Sequence, residues 1–115
     1  MLYDVVIVGS GLAGLVSALS ASQTGAKVAL LSKGNPLRSN SSMASGGINA
    51  ALATMEDDTP LRHAHETYIG GDSLGERDVI EQLCSYAPEM IHQLREWGVN
   101  FDTNDYGVIL QRPFG

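Results

Sequence analysis

Two short apolar runs flank an amphipathic stretch near the start of the chain. Residues 3–8 and 27–31 lack the polar–apolar alternation of a half-exposed strand, which is typical of parallel strands buried on both faces. Between them, apolar side chains recur at the spacing of one helix face: Leu12, Leu15, Val16 and Leu19. A right-handed crossover through this helix sets the two strands parallel. The pattern therefore predicts a βαβ unit over residues 1–34, the start of a Rossmann-like α/β fold with a parallel sheet.

The rest of the chain divides into a loop over residues 35–54, a helical segment over 60–98 and a hairpin over 99–115. The loop contains a Ser-rich stretch, residues 39–47, that ends in two glycines. Its composition alone is typical of a flexible linker.

The helical segment is expected to hold a helix over residues 61–69 and then two further helices divided at Pro88. Proline interrupts a helix interior but fits the first turn of a new helix. The hairpin prediction comes from two apolar triplets that flank a polar turn ending at Gly107.

Charge and composition narrow the function. The chain has 115 residues and a formal net charge of −6, which argues against a nucleic-acid partner. No apolar run approaches the roughly 20 residues that cross a membrane. Residues 1–55 hold three basic residues and one acid, whereas residues 56–115 hold twelve acids and four arginines. The first part is therefore the expected location of an anionic ligand.

A single cysteine, Cys84, excludes an internal disulfide and a thiolate zinc cluster. His63 and His65 are two residues apart, so on a helix they point to different faces, and we expect no metal site. The N-terminus lacks the basic residues and long apolar core of a signal peptide, which indicates a cytoplasmic protein. The sequence stops at Gly115 without a terminal helix or polar tail, and we therefore expect an incomplete N-terminal fragment of a larger domain.

Residues 9–14 form a G-x-G-x-x-G motif directly after the first predicted strand and at the start of the helix. Gly9 allows the tight turn, Gly11 lets a pyrophosphate approach the backbone, and Gly14 lets helix and strand pack closely. The free N–H groups at the helix start then face the phosphates. This context predicts a dinucleotide site.

The end of the second strand departs from a typical NAD site. An acid usually binds the ribose there, but this chain has Ser32 and Lys33, followed by Gly34. The Ser32 hydroxyl can still bond a ribose, and Lys33 either meets a phosphate or is simply solvated. The substitution weakens a plain NAD interpretation.

Five stretches together resemble a known family. In order they are Asp-Val-Val-Ile-Val-Gly-Ser-Gly-Leu-Ala-Gly-Leu, Leu-Leu-Ser-Lys, Ala-Ser-Gly-Gly-Ile-Asn-Ala-Ala-Leu, Trp-Gly-Val-Asn-Phe-Asp and Gln-Arg-Pro-Phe-Gly. They are similar to the N-terminal part of the succinate dehydrogenase/fumarate reductase flavoprotein family, in the superfamily that also includes L-aspartate oxidase. The resemblance covers essentially the whole chain and implies a Rossmann-like FAD-binding fold whose substrate and capping domain is absent here.

The resemblance implies that FAD is bound by three segments, namely residues 9–13, residues 32–34 and the Ser-rich stretch at residues 39–47, which is then a polar cradle rather than a linker. The implied cofactor-binding residues are Gly9, Ser10, Gly11, Leu12, Ala13, Gly14, Ser32, Lys33, Gly34, Ser39, Asn40, Ser41, Ser42, Met43, Ala44, Ser45, Gly46 and Gly47.

Two positions depart from the family pattern. Many members attach the flavin through a histidine at the position of Asn40, which cannot form that bond, so the resemblance implies non-covalent FAD. Relatives usually carry Gln or Glu at the position of Ser45, which weakens any transfer of substrate preference. In the family the final stretch approaches flavin and substrate, so Phe114 either lines the dicarboxylate site or closes the hairpin core.

The implied activity is that of an oxidoreductase in electron transport, with hydride transfer between FAD and a C4 dicarboxylate. Asn40 favours L-aspartate oxidase as the alternative, whereas the Gln-Arg-Pro-Phe ending opposes it; a non-catalytic FAD-binding fragment is the other alternative. The family's acid/base and carboxylate-binding residues lie later in the chain, so no catalytic residue is assigned and the 115 residues alone are expected to be inactive. Implied partners are the dicarboxylate substrate and an iron–sulfur subunit, with membrane association only through partner subunits.

Overall fold

The computed structural model describes residues 2–44, 47–55 and 57–112. It divides the chain into two compact units, Met1–Gly47 and Ile48–Gly115. No helix in the described ranges is both long and apolar enough to cross a membrane.

The first unit is a βαβ unit. Strand β1 (Val5–Val8) leads into helix α1 (Leu12–Gln23), and strand β2 (Val28–Leu31) returns parallel to β1. The register aligns Val5 with Val28 and Val8 with Leu31. The predicted α/β fold with a parallel sheet is therefore confirmed, with helix α1 as the crossover between the two strands.

Side-chain bonding closes the first unit at the N-terminal ends of its strands. The Lys27 amide donates to the Asp4 carboxylate at 2.8 Å, and the Asp4 amide donates to the Lys27 carbonyl at 2.8 Å. At the same end, where α1 leads into β2, the amide of Gly25 donates to the Ser22 carbonyl, and Gly25 has a φ of 83°. Glycine adopts this left-handed conformation without steric cost, so it ends α1 and turns the chain toward β2.

The Ser-rich stretch contains regular structure, unlike a flexible linker. A 3₁₀ turn (Pro36–Arg38) is followed by the short helix α2 (Asn40–Met43). The Ser39 hydroxyl accepts a hydrogen bond from the Ser42 amide at 3.2 Å, which satisfies one of the orphan N–H groups at the start of α2. The serines of this stretch therefore fix the local backbone.

The second unit is built on two helices that are adjacent in sequence, α3 (Pro60–Gly70) and α4 (Arg77–Glu96), which pack against each other. The Thr59 hydroxyl accepts from the Arg62 amide at 3.2 Å, and Pro60 occupies the first turn of α3, where no N–H is needed. Apolar side chains buried in this unit include Ala51, Ala64, Cys84, Ile91 and Ile109.

The expected break at Pro88 is wrong, because α4 continues through it as one helix of 20 residues. Pro88 has no N–H to donate to the carbonyl of Cys84, four residues earlier, and this loss costs about 3 kcal/mol in a helix interior. Cys84 and Ile91 are buried on either side of the proline. Burial of one continuous apolar face offsets the missing hydrogen bond.

The segment predicted as a hairpin contains one antiparallel bridge, between Thr103 and Ile109. The turn is fixed by Asn104, whose side-chain oxygen accepts hydrogen bonds from the amides of Tyr106 and Val108, both at 3.0 Å. Gly107 has a φ of 76° and completes the reversal.

Apolar surface is exposed throughout the first unit. No residue of α1 is buried, and Val8 on β1 is 82% exposed. The single helix α1 does not fully cover either face of the two-stranded sheet. Parallel strands are normally covered on both faces. The strands of the first unit therefore have the apolar sequence of buried strands, but the described residues of this unit do not bury them.

Candidate functional site

The glycine motif begins where β1 ends. The Gly9 amide donates to the Leu31 carbonyl at 2.8 Å, so the strand pairing runs directly into the turn. Gly9 has a φ of 114°, a conformation that L side chains rarely adopt, and a Cβ placed on it would meet no atom within 4 Å. The backbone at Gly9 is therefore open to an approaching ligand.

Gly14 allows the helix to lie directly against this turn. A Cβ atom on Gly14 would lie 1.9 Å from the carbonyl oxygen of Gly9 and 2.9 Å from its carbonyl carbon. These distances are far below van der Waals contact, so only glycine fits. The packing role predicted for the third glycine of the motif matches this geometry.

The start of α1 meets the Ser-rich stretch. Gly11 is the N-cap residue and has no side chain to cap the helix. The Ser41 hydroxyl performs this function across 29 residues by accepting a hydrogen bond of 3.0 Å from the Leu12 amide. A Cβ on Gly11 would lie 3.3 Å from the same oxygen, so the second glycine of the motif leaves room for Ser41.

The motif also contacts the end of β2. Ser10 is buried, and its hydroxyl oxygen lies 2.6 Å from that of Ser32. The Ser32 hydroxyl donates to the Gly34 carbonyl at 2.7 Å. Ser32 itself is exposed, so its oxygen is accessible from solvent at the position where a ribose is expected.

The three predicted segments therefore converge through hydrogen bonds that the structure places between them. Residues 9–14 contact the second segment through Ser10 and Ser32, and the third through Leu12 and Ser41. All three lie at the C-terminal end of the parallel strands, where α/β folds bind ligands.

The remaining predicted residues of the third segment differ in what they contact. Ser39 and Ser42 bond each other at 3.0 Å between their hydroxyl oxygens, and Ser42 also donates to the Pro36 carbonyl at 3.2 Å. Asn40 and Met43 are exposed. Ala13 and Lys33, in the first two segments, are exposed as well, and Ala44 follows α2 as its C-cap.

Three predicted residues, Ser45, Gly46 and Phe114, lie outside the described residues. The neighbouring Gly47 is described, and a Cβ placed on it would meet no atom within 4 Å.

Basic side chains near the motif are few. Lys27 lies with its ammonium 5.6 Å from the centre of the Tyr3 ring, a cation–π contact at the opposite end of the strands. Lys33 and Arg38 are exposed and belong to the candidate segments or the turn between them. The groups that this end of the strands offers to an anion are therefore chiefly main-chain N–H groups and the α1 dipole.

Other titratable candidates do not form a site. Within residues 2–44, 47–55 and 57–112, no group of three His, Cys, Asp or Glu side chains could hold a metal ion. Cys84 is buried, and its sulfur lies 4.0 Å from the Thr67 hydroxyl oxygen. On α3, Arg62 donates to Glu66 at 2.7 Å, and this hydrogen bond raises the pKa of Arg62; both side chains are solvent-exposed.

Sequence reasoning did not identify the role of Gln111. Its Nε2 donates to the Ala50 carbonyl at 2.6 Å and to the Asp58 carboxylate at 3.2 Å, while its Oε1 accepts from the Thr54 hydroxyl. One side chain thus ties the end of the described chain to the loop at 50–58 of the second unit. The partners are more than fifty residues away, so no local pattern points to them.

The chain matches the family model described as FAD binding domain over residues 4–115. It is 44% identical over 113 residues to the succinate dehydrogenase flavoprotein subunit of Rickettsia felis, a match that covers 98% of this chain and 19% of the relative. It is 42% identical over 113 residues to the mitochondrial succinate dehydrogenase [ubiquinone] flavoprotein subunit of Oryza sativa, covering 98% of this chain and 18% of the relative. The chain thus spans about one-fifth of the length of these relatives.

Solved structures give the same result. A chain of the Mycobacterium smegmatis Sdh1 complex in the apo form superimposes with a TM-score of 0.92 at 34% identity, covering 98% of this chain and 19% of that one. A chain of a variant E. coli quinol fumarate reductase gives a TM-score of 0.87 at 38% identity, covering 96% of this chain and 19% of that one. The resemblance inferred from the five sequence stretches is confirmed.

The residues present fit the group that this family model names. Open backbone at Gly9 and Gly34 leaves space for a dinucleotide beside the start of α1. The first amides of the helix lack intrahelical acceptors, and apart from the Leu12 amide, which donates to Ser41, they are available to such a ligand. The Ser32 hydroxyl is accessible at the end of β2. The site therefore offers amides to a phosphate, a hydroxyl to a ribose and open glycine backbone to a ligand that approaches closely.

Proposed function

The chain belongs to the FAD binding domain family, and we propose from this that it is the dinucleotide-binding part of a flavoprotein oxidoreductase of the succinate dehydrogenase/fumarate reductase type. The observation that carries the proposal is the convergence of three separate segments at one end of the parallel strands, through the Ser10–Ser32 and Leu12–Ser41 hydrogen bonds. A glycine-rich turn alone would not require the second and third segments to meet it.

Each segment has a distinct role in holding FAD. The amides of Gly11, Ala13 and Gly14 bind the pyrophosphate, aided by the α1 dipole, while the Leu12 amide is held by Ser41. Ser32 bonds the adenosine ribose, with Lys33 and Gly34 beside it. Residues 39–47 form the cradle for the pyrophosphate and the isoalloxazine, in which hydroxyls and backbone amides supply the polar contacts.

When bound, FAD supplies hydride transfer to or from a C4 dicarboxylate. The names of the relatives support this substrate class, and they do not favour the L-aspartate oxidase alternative. Phe114 is proposed to line the dicarboxylate site. No residue of this chain is assigned as acid, base or carboxylate-binding group, since in the family these lie later in the chain.

FAD is held without a covalent bond. Asn40 occupies the position at which many relatives carry the flavin-linking histidine, and a side-chain amide is not a nucleophile that forms this bond. Loss of a covalent link generally lowers the flavin potential, which suits fumarate reduction better than succinate oxidation. A redox titration of the protein checks this: a flavin potential above that of the fumarate/succinate couple contradicts it.

An iron–sulfur subunit is the proposed electron-transfer partner, and association with a membrane is proposed to occur through partner subunits. Two of the matched structures support this by their titles: one is a Mycobacterium smegmatis Sdh1 complex, and the other is quinol-fumarate reductase with menaquinol. Co-purification of the protein under mild conditions tests this: an iron-containing subunit at equal stoichiometry supports it, and a flavoprotein that purifies alone contradicts it.

The activity is tested with the protein at its full natural length under anaerobic conditions. Fumarate reduction by a reduced viologen dye, succinate oxidation with an artificial acceptor and aspartate oxidation are measured side by side. The proposal expects turnover with fumarate or succinate and none with aspartate. Turnover with aspartate alone would establish the L-aspartate oxidase alternative, and a flavin-containing protein that is inactive with all three would establish the non-catalytic one.

A further inference from the structure

The direction of the hydrogen bonds at Ser10 can be deduced from proton counting. A serine hydroxyl carries one hydrogen and two lone pairs. The Ser32 hydroxyl gives its hydrogen to the Gly34 carbonyl at 2.7 Å. It therefore has no hydrogen left for Ser10, and the 2.6 Å contact between the two hydroxyl oxygens must be donated by Ser10. The relay runs from Ser10 to Ser32 to Gly34.

With this direction, the Ser32 hydroxyl keeps one free lone pair but has no hydrogen left to donate to a ligand. A ligand group that meets its exposed oxygen must then bring the hydrogen itself. A ribose hydroxyl can do so, whereas a phosphate on the ribose has no hydrogen to give at neutral pH. The relay thus favours a free ribose hydroxyl over a phosphate group at the Ser32 oxygen.

Burial identifies Ser10 as the fixed end of the relay. Ser10 is 7% exposed and sits between the first two glycines of the motif, whereas Ser32 is exposed. Ser10 cannot contact the ribose through solvent-facing atoms, so any effect on the ligand passes through Ser32. Without the hydrogen bond from Ser10, the Ser32 hydroxyl would lose the donor that fixes its orientation and would be free to rotate away from Gly34.

We infer that Ser10 is a positioning residue for the adenosine ribose, which holds the Ser32 hydroxyl as an acceptor that requires a hydrogen from the ligand. This rests on the proposed binding of FAD and adds to it the group that discriminates at the ribose. No charged acceptor is needed at the end of β2, because two serines and a carbonyl fix the polarity that an acid would otherwise provide.

A double-mutant cycle tests the inference in the protein at its full natural length, stripped of flavin and titrated with FAD by flavin fluorescence. Ser10→Ala and Ser32→Ala should each weaken FAD binding about fivefold, the value of one net hydrogen bond. The double variant should be no weaker than Ser32→Ala, because Ser10 acts only through Ser32. Ser20→Ala, an exposed serine on α1, is the matched control and should bind FAD like the unaltered protein.

A ligand change supplies the second measurement and needs no variant at the buried position. An FAD analogue whose adenosine ribose lacks both free hydroxyls should bind the unaltered protein about fivefold more weakly than FAD, and Ser32→Ala should bind the two ligands equally. The relay would be overturned if the losses of FAD affinity in Ser10→Ala and Ser32→Ala added up in the double variant. It would also be overturned if Ser32→Ala still bound FAD more tightly than the analogue by the same factor as the unaltered protein. Failure of the unaltered protein to bind FAD at all would instead overturn the proposed function.

Discussion

The amide of Leu12 donates a 3.0 Å hydrogen bond to the hydroxyl of Ser41, 29 residues later in the chain. The N-cap residue Gly11 has no side chain, so the cap of α1 comes from the Ser-rich stretch. This contact joins the dinucleotide motif to the third segment and places both against the same helix terminus. The glycine motif and the Ser-rich stretch are thereby joined at one helix terminus.

Removal of the Ser41 hydroxyl should destabilise the protein by about 1 kcal/mol, the usual cost of losing an N-cap side chain. Ser41→Ala is therefore expected to lower the thermal unfolding midpoint, and the Leu12 amide should exchange its hydrogen faster. Ser41→Thr keeps the acceptor oxygen and should retain most of the stability. Ser17→Ala, at an exposed position of α1, serves as the control; equal effects at positions 17 and 41 would argue against a capping role.

Substitution of Gly14 should be far more damaging than that of a typical glycine. Gly14→Ala places a Cβ 1.9 Å from the Gly9 oxygen, so the helix must shift from the turn at a cost of about 3 kcal/mol or more. We expect loss of bound flavin, measured as the ratio of flavin to protein absorbance. Gly70→Ala, where a Cβ meets nothing within 4 Å, should retain the flavin. Normal flavin content in Gly14→Ala would refute the close packing.

The Gln111 side chain is expected to stabilise the loop at residues 50–58 through its amide hydrogens. Gln111→Glu removes both donors, leaves the Ala50 carbonyl without its 2.6 Å partner and sets a carboxylate against Asp58, at a cost of about 2 kcal/mol. Adding Asp58→Asn should restore part of the lost stability. Thermal unfolding provides the measurement, with Gln82→Glu on the exposed face of α4 as the control. A double variant no more stable than Gln111→Glu would contradict the contact with Asp58.

Burial on α4 should decide which apolar truncations are costly. Ile91 is 4% exposed, so Ile91→Ala should lower the free energy of unfolding by about 2–4 kcal/mol. Leu83 lies on the same helix but is 67% exposed, and Leu83→Ala should cost less than about 1 kcal/mol. Urea denaturation followed by helix ellipticity measures both. Equal losses would show that Leu83 is covered in the protein at its natural length.

Local sequence was sufficient for the βαβ unit and for its glycine turn. The spacing of the apolar residues determines which faces of the two strands and the helix can pack. Gly14 is needed because a Cβ there would clash with the carbonyl oxygen of Gly9, only five residues earlier, and Gly9 is needed for its positive φ. The resemblance supplied the third segment, since composition alone made residues 39–47 a linker.

Other features depend on tertiary contacts that no local pattern contains. The Leu12–Ser41 bond and the Gln111–Ala50 bond join positions 29 and 61 residues apart. Pro88 illustrates the opposite failure: the local rule predicts a break, but burial of Cys84 and Ile91 on one helix face outweighs the lost hydrogen bond.

The central claim is that this chain holds FAD without a covalent bond, and a single measurement tests it most directly. The protein at its full natural length is purified, its absorbance spectrum is recorded, and the spectra of supernatant and pellet are recorded after acid precipitation. The account predicts the two visible-range bands of oxidised flavin and FAD in the supernatant. Flavin that stays with the pellet would contradict the role given to Asn40, and a protein that neither contains FAD nor takes it up would contradict the proposed function itself.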